Sequence, residues 1–201
     1  GLSPVVVFPR PDQRLERKPV ELPSWWDSEA QSWDMTFKTT TDGSFVVGLV
    51  GAMKGPNLFI LDCWRKRADF PETVEAVASM TMKWPDASAK LIELAANGPA
   101  VIATMSRKVS GIIGIPAEGS KEARAHAVTP YVEAGNVYLP HPHVADWVND
   151  FIDELAQFPT GKNNDQVDAF SQLARYLIKP MSTELPADFM EYVSAQLGGL
   201  A

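Results

Sequence analysis

Four acidic residues stand in or beside short apolar runs, where an unpaired carboxylate is costly to bury. These are Asp34 in WDMTFK, Glu93 in LIELAANG, and Asp165 with Asp168 in NNDQVDAFSQLARYL. Carboxylates that converge from separate elements repel one another unless cations lie between them, and hard divalent ions prefer oxygen ligands. A pair of such ions hydrolyses phosphodiesters by activating water and stabilising the leaving oxygen. The four acids therefore predict a site for two Mg²⁺ or Mn²⁺ ions that cleaves phosphodiester bonds.

Each acid also has an ordinary structural explanation. The two strand acids stand near strand ends, where a side chain can reach solvent. Asp165 and Asp168 share one helix face because they are three residues apart, and acids in a first helical turn interact favourably with the helix dipole. Asn163 or Asn164 can cap this helix. The residues alone leave both explanations open, and they do not rank Asp165 against Asp168 as the principal ligand.

The elements that must position these acids follow a mixed pattern. Three strand-like runs separated by turn sequences predict an antiparallel meander: SWDMTF, SFVVGLVGAM and NLFILDCW. Helical and strand-like segments then alternate: FPETVEAVASMTMKW, AKLIEL, NGPAVIATMSRK, a buried strand GIIGI, and SKEARAHAVTPYVEAG. This order predicts an α/β fold with a ribonuclease-H-like mixed sheet, in which three antiparallel strands precede parallel strands and helices flank the sheet.

The last segments complete the predicted elements. NVYLP predicts a short edge strand, and a strong helix is expected from about residue 163 to 178, with one more around 186–197. Between them, ADWVNDFIDELAQF predicts a helix whose apolar stripe holds Trp147, Phe151 and Leu155. The same helical spacing places its acids toward solvent: Asp146, Asp150, Asp153 and Glu154.

Composition limits the possible classes of protein. The chain has 201 residues and a formal net charge of −7, which argues against a protein that coats DNA through general basicity. It does not exclude an enzyme that acts on nucleic acid, because acids around metal ions lower the net charge. Cys63 lies in an apolar run as the only cysteine, which excludes a disulfide framework. No apolar run approaches membrane-spanning length, so no membrane partner is expected.

Basic residues cluster at two places. Arg65, Lys66 and Arg67 follow the third predicted strand, and Lys121 and Arg124 open a predicted helix. Each set predicts contacts with DNA phosphates, although the first set is also explained as an exposed turn that aids solubility. Phosphate contacts position a duplex without reading its bases, so low sequence specificity is expected.

Four blocks resemble, in the same order, the C-terminal nuclease domain of the large terminase subunit of tailed bacteriophages. They are WDMTFK, LIELAANGPAVI, SKEARAHAVTPYVEAGNVYLP and FPTGKNNDQVDA, and the similarity covers about residues 28–178. The resemblance implies a metal-dependent endonuclease that cuts concatemeric double-stranded viral DNA during packaging and leaves a 5′-phosphate. By motif, it implies Asp34, Glu93 and Asp165 as the core acids, with Asp168 as an accessory or alternative ligand.

The resemblance also implies a domain organisation and partners. Residues 1–28 are expected to be a lead-in from an ATPase domain, residues 29–180 the nuclease domain, and residues 181–201 a C-terminal tail. The sequence holds no G-x-x-x-x-G-K-[ST] phosphate loop, so this chain is expected to cut DNA but not to pump it. The implied partners are double-stranded DNA, the ATPase domain, the portal and the small terminase subunit, in the host cytoplasm rather than the mature virion. The Trp25–Trp26 pair is a candidate contact for the ATPase domain.

Two departures from the family pattern support an alternative hypothesis. The family commonly has an acid and a lysine after the glutamate, where this chain has Leu94 and Ala95. The last block usually reads His-Asp-Asp, where this chain has residues 163–165 as Asn-Asn-Asp. One alternative is therefore a DNA- or portal-binding module with weakened catalysis. Another is a cellular resolvase-like or transposase-like enzyme of the same fold, which the block from Lys121 to Pro140 disfavours.

Overall fold

The computed structural model describes residues 5–7, 22–35, 45–94 and 98–178. The strands in these ranges are β1 (Val5–Val7), β2 (Ser28–Asp34), β3 (Val46–Lys54), β4 (Asn57–Lys66), β5 (Ala89–Glu93), β6 (Ile112–Ile115) and β7 (Val137–Pro140). Together they form one sheet in the spatial order β1-β7-β4-β3-β2-β5-β6. β2, β3 and β4 form the expected antiparallel meander, and β5 lies parallel to β2 and to β6. The predicted ribonuclease-H-like mixed sheet is confirmed.

The helices cover both faces of the sheet. They are α1 (Phe70–Lys83), α2 (Gly98–Met105), α3 (Lys121–Glu133), α4 (Val148–Gln157) and α5 (Asp165–Leu177). α1 begins with a capping box, in which Asp69 accepts from the Glu72 backbone at 2.9 Å and Glu72 accepts from the Asp69 backbone at 3.3 Å. α3 begins at its cap, Ser120, and the chain leaves it through Gly135, whose φ of 76° suits glycine. The helix expected around residues 186–197 lies outside the described residues.

The sheet separates two apolar cores. On one face, Trp33 of β2 and Ile92 of β5 pack with Val77 of α1. On the other face, the described side chains of β3, β4 and β5 pack with α3, α4 and α5, including Phe151 and Leu173. Because side chains alternate along a strand, the residues on either side of Trp33 face α5.

Two predicted strand environments were wrong. NVYLP is not an edge strand, because β7 pairs with β4 on one side and with β1 on the other. GIIGI is not fully buried, because β6 ends the described sheet and Ile113 is 36% exposed. An apolar run shows that a segment packs against something, but its pairing partners depend on distant parts of the chain. β1 lies inside the expected lead-in, and the domain boundary at residue 28 stays a prediction.

Burial raises the pKa of the Cys63 thiol to about 12, which keeps it protonated and unreactive. Among the helices of the described ranges, none has the length and apolar character needed to cross a bilayer.

Gly48 of β3 has no space for even a methyl side chain. A Cβ at this position would lie 2.5 Å from the ring of Trp33, which is fully buried. We expect Gly48→Ala to lower the free energy of unfolding by roughly 1–3 kcal/mol, measured by urea denaturation. Gly114→Ala is the matched control, because the atoms nearest to its Cβ would be the flexible ends of Ile102 and Leu94, at 2.9 Å each. Equal losses in the two variants would contradict a specific clash with the indole ring.

Candidate active site

The parallel pairing of β2 with β5 brings two of the predicted acids side by side. The register pairs Trp33 with Ile92, so the next residues along the two strands are Asp34 and Glu93. Neighbouring residues of parallel strands point to the same face, and adjacent strands lie about 4.8 Å apart. Asp34 is 9% exposed, and Glu93 is partly buried.

Helix α5 carries the other two acids to the same face. Ser32 Oγ donates to a backbone carbonyl of α5 at 2.8 Å. Gln172 Nε2 donates to Ser32 Oγ at 2.9 Å and to the Leu91 carbonyl at 3.3 Å. These hydrogen bonds fix α5 across β2 and β5. They leave Asp165 and Asp168, which are 6% and 5% exposed, at the end of the helix nearest the strand acids.

Helix α3 contributes two cations to this cluster. Lys121 Nζ contacts Asp168 Oδ2 and donates to Asn164 Oδ1 at 3.0 Å. Arg124 Nη2 donates to Asp168 Oδ1 at 2.9 Å and lies 3.7 Å from Glu93 Oε2. Both oxygens of Asp168 therefore meet a positive charge, and one guanidinium joins an acid of α5 to an acid of β5. Asn164 makes no side-chain capping bond to α5 but accepts from Lys121 instead.

The acids also interact electrostatically. Burial, followed by the charges of Asp168 and Asp165, raises the pKa of Asp34 from 3.8 to about 7, against the opposing charge of Lys121. The charge of Glu93 raises it further. Burial likewise raises the pKa of Asp165, although a hydrogen bond from a backbone N–H opposes this shift. Asp34 thus lies within electrostatic reach of the other three predicted acids.

Glu154 of α4 belongs to the same neighbourhood, and the prediction that it points to solvent was wrong. It is 8% exposed. Its Oε1 accepts from the Gln166 backbone N–H at 2.7 Å, and its Oε2 accepts from Gln166 Nε2 at 2.8 Å and from Arg65 at 2.9 Å. Glu154 therefore binds a free N–H group in the first turn of α5, directly after Asp165. The sequence signal for the burial of Glu154 was its position three residues after Phe151, which places the two side chains on one face of the helix.

The remaining basic residues predicted to contact DNA lie at the end of β4 and just beyond it. The Arg65 guanidinium lies over the Phe45 ring at 3.9 Å, and that of Arg67 lies over the same ring at 4.8 Å. The Phe45 N–H donates to Asp165 Oδ2 at 3.3 Å, so this cluster adjoins the acids. Lys66 points away, pairing with an exposed glutamate of α1 at 2.8 Å. Their binding to DNA stays a prediction.

The donor set fits a divalent cation that prefers oxygen. Asp34, Glu93 and Asp165 approach from two strands and a helix, and the pKa of Asp34 is raised first by burial and then by the charges of neighbouring acids. In the part of the chain that the structure describes, no three acidic, histidine or cysteine side chains are arranged to coordinate one ion. In this arrangement, Asp168 is paired with Lys121 and Arg124 instead.

Removing the charge of Asp34 is expected to stabilise the metal-free protein at neutral pH. The pKa of Asp34 rises on folding. The stability that its protonated form preserves below about pH 4 is therefore lost as the pH rises through about 7. We expect Asp34→Asn to exceed the wild type by roughly 1–4 kcal/mol above pH 7 and to match it near pH 4. Urea denaturation in a chelating buffer, near pH 4 and above pH 7, measures the free energy of unfolding of the variant and of the wild type. Asp153→Asn, at an exposed site on α4, is the control. An advantage that does not grow with pH would contradict the prediction.

Glu154 is expected to be required for stability. In Glu154→Ala, Arg65 and the first turn of α5 lose a buried acceptor, so we expect a loss of roughly 2–4 kcal/mol in the free energy of unfolding. Asp153→Ala on the same helix is the matched control, with an expected change within about 0.5 kcal/mol. Urea denaturation of both variants makes the comparison, and similar changes would show that Glu154 acts only as a surface acid.

Solved structures share this fold. The large terminase nuclease of thermophilic phage G20c with bound magnesium matches with a TM-score of 0.59 and 16% identity, over 84% of this chain and 90% of that one. The large terminase of another thermophilic bacteriophage matches with a TM-score of 0.61 and 13% identity, over 79% of this chain and 41% of that one. The manganese-soaked, inhibitor-bound nuclease domain of the human cytomegalovirus terminase matches with a TM-score of 0.57 and 11% identity, over 76% of this chain and 83% of that one.

The sequence comparison identifies the family. No curated protein sequence matches the chain significantly. A family model described as the terminase RNaseH-like domain matches residues 31–176, which is most of the chain and includes all four predicted acids. The resemblance to terminase nuclease domains is thereby confirmed, and the chain belongs to the terminase RNaseH-like domain family.

Proposed function

We propose that this domain is an endonuclease that cuts concatemeric double-stranded viral DNA during genome packaging, with Mg²⁺ or Mn²⁺ ions and low sequence specificity. The observation that carries the proposal is the convergence of Asp34, Glu93, Asp165 and Asp168 on one face of the sheet. Membership of the terminase RNaseH-like domain family supports the role in packaging.

The acids supply the ligands for two ions. Asp34, Glu93 and Asp165 would hold them, with Asp168 as a further ligand. When bound, the ions activate water and stabilise charge on the leaving oxygen of the phosphodiester. The protein itself supplies the converging negative charge, most of it on buried side chains. The magnesium in the G20c nuclease and the manganese soaked into the cytomegalovirus domain support this choice of ions.

Basic side chains around the acids favour a nucleic-acid duplex as the substrate. The Lys121 side chain is 44% exposed, so its ammonium group can reach a phosphate beside the acids. The Lys66 side chain is 57% exposed but points away from the acids toward α1. Arg65 and Arg67 flank the acids through Phe45. Arg124 is only 9% exposed, so we expect it to act on the acids rather than on DNA.

We further propose that the domain works with an ATPase domain of the same longer protein, with the portal and with the small terminase subunit, in the host cytoplasm. The chain spans 41% of the second phage's large terminase, which leaves room in such a protein for another domain. Trp26 packs against Phe59 with ring centroids 5.0 Å apart, whereas Trp25 is 62% exposed. An exposed tryptophan beside the expected lead-in is a suitable contact for that domain.

A second candidate function is a DNA- or portal-binding module with weakened catalysis. The specific observation that favours it is the pairing of Asp168 with two cations, which competes with its use as a metal ligand. Leu94, at the position after the strand glutamate, is 38% exposed and offers no charge.

Cleavage of supercoiled plasmid in the presence of Mn²⁺ separates these functions. We expect nicking and linearisation that a chelator stops, and a rate reduced roughly 100-fold or more in Asp34→Asn and in Glu93→Gln. Asp153→Asn, which removes an exposed acid of α4, should cut at the wild-type rate. Cutting that persists in both site variants would assign the activity elsewhere, and plasmid binding without any cutting would favour the binding module.

A further inference from the structure

A groove of about 800 Å³ lies at the opposite end of β2 and β5 from the four predicted acids. Its walls are the start of β2 with the residues before it, the turn that joins α1 to β5, and the last residues of α5. β2 runs from Ser28 at the groove to Asp34 at the acids, which is roughly 20 Å at the usual rise per strand residue. The groove is therefore separate from the proposed nuclease site.

Tryptophan rings form much of the groove wall: Trp25, Trp26 and Trp84. Trp25 is 62% exposed. Two of these rings already attract lysines of this chain, since Lys54 Nζ lies over the ring of Trp25 and Lys83 Nζ lies 5.8 Å from the ring centre of Trp84. Aromatic faces attract cations through their quadrupole, so the groove presents surfaces that suit a positively charged group.

Two acids of the groove have no cation beside them. Asp27 pairs with Lys54 at 3.2 Å and accepts from the Gly55 N–H at 2.6 Å. Among the residues that the structure describes, neither Glu29 nor Asp86 forms an ion pair. Burial, and then the charge of Asp86, raises the pKa of Glu29, so the two carboxylates repel each other. A cation between them would relieve this repulsion.

The charge of the groove decides the class of ligand. Uncompensated carboxylates repel the phosphates of DNA and RNA, which argues against a nucleic acid. A guanidinium matches both kinds of wall, because it stacks on aromatic rings and its donors can reach two carboxylates at once. The volume of the groove also suits a ligand larger than one side chain, so residues beside an arginine can contact the exposed ring of Trp25.

We infer that this groove binds a basic segment of a partner protein, with an arginine placed between Glu29 and Asp86 and packed against the tryptophans. Tryptophan and arginine are among the side chains that most often dominate the energy of protein–protein contacts. The inference goes beyond the proposed nuclease and does not depend on it, because the groove and the predicted ligands lie at opposite ends of β2 and β5.

A labelled peptide tests the inference. The probe is a short fluorescein-labelled peptide with one arginine between two leucines, and its matched peptide carries citrulline, which has nearly the same shape without the charge. We expect the arginine peptide to bind the full chain about tenfold or more tightly than the citrulline peptide, measured by fluorescence anisotropy at low salt. Equal affinities, or no binding of the arginine peptide to the folded chain, would overturn the inference.

Matched variants locate the binding site. The double variant Glu29→Gln with Asp86→Asn removes both unpaired acids, and we expect it to bind the arginine peptide about tenfold or more weakly. Trp25→Ala, at an exposed ring, should also weaken binding. The control, Glu75→Gln with Asp153→Asn, removes two exposed acids elsewhere and should bind as the wild type does. Circular dichroism verifies that each variant is folded. An equal loss in the control would show only a general attraction to an acidic protein and would overturn the inference.

Two other occupants of the groove have their own outcomes. Displacement of the arginine peptide by a short DNA duplex that does not itself bind the peptide would assign the groove to nucleic acid. Residues 10–18 of this chain include three arginines and one lysine. Peptide binding that appeared only after these four residues were replaced by glutamine would show that the chain fills its own groove. Either result would overturn the assignment of a partner protein.

Discussion

Negative charge buried at the end of β2 is the constraint on which the rest of the site depends. Asp34 is 9% exposed and lies within reach of three other acids, so its ionised form is disfavoured by lost hydration and by repulsion. A fold selected for stability alone would place neutral residues here. The protein offsets part of the unfavourable energy with Lys121 and Arg124, which approach from α3. The remaining negative charge would favour a divalent cation.

Contacts that do not involve the four predicted acids hold the site in place. Trp33 is fully buried against the α1 side of the sheet and anchors β2 on the face opposite the acids. Ser32 and Gln172 join β2 and α5 through hydrogen bonds on the acid-bearing face. Glu154 adds an acceptor for the first turn of α5. Because these contacts do not use the predicted ligands, they fix β2 and α5 relative to each other independently of any ion.

Much of this arrangement was predictable from local patterns. Alternation along the strands and the crossover helix α1 place Asp34 beside Glu93 in parallel strands. The i, i+3 spacing puts the two acids of α5 on one face. The contacts that sequence could not reveal join distant residues: Arg124 pairs with Asp168 across 44 positions, and Arg65 with Glu154 across 89. Such pairs depend on how helices pack against the sheet, which hydrophobic periodicity does not encode. For the same reason, β7 was expected at an edge although it pairs on both sides.

The departures from the family pattern change the charge of the acidic site. Where the family commonly has an acid and a lysine after the glutamate, this chain has Leu94 and Ala95, so one charge of each sign is missing together. The asparagine at position 164 replaces a usual acid, and its side chain accepts a hydrogen bond from Lys121 rather than repelling the other carboxylates. A cluster with one acid fewer, and with a lysine supplied from α3, carries less uncompensated negative charge. The altered residues therefore change the charge of the cluster, while Asp34, Glu93 and Asp165 keep their places on β2, β5 and α5.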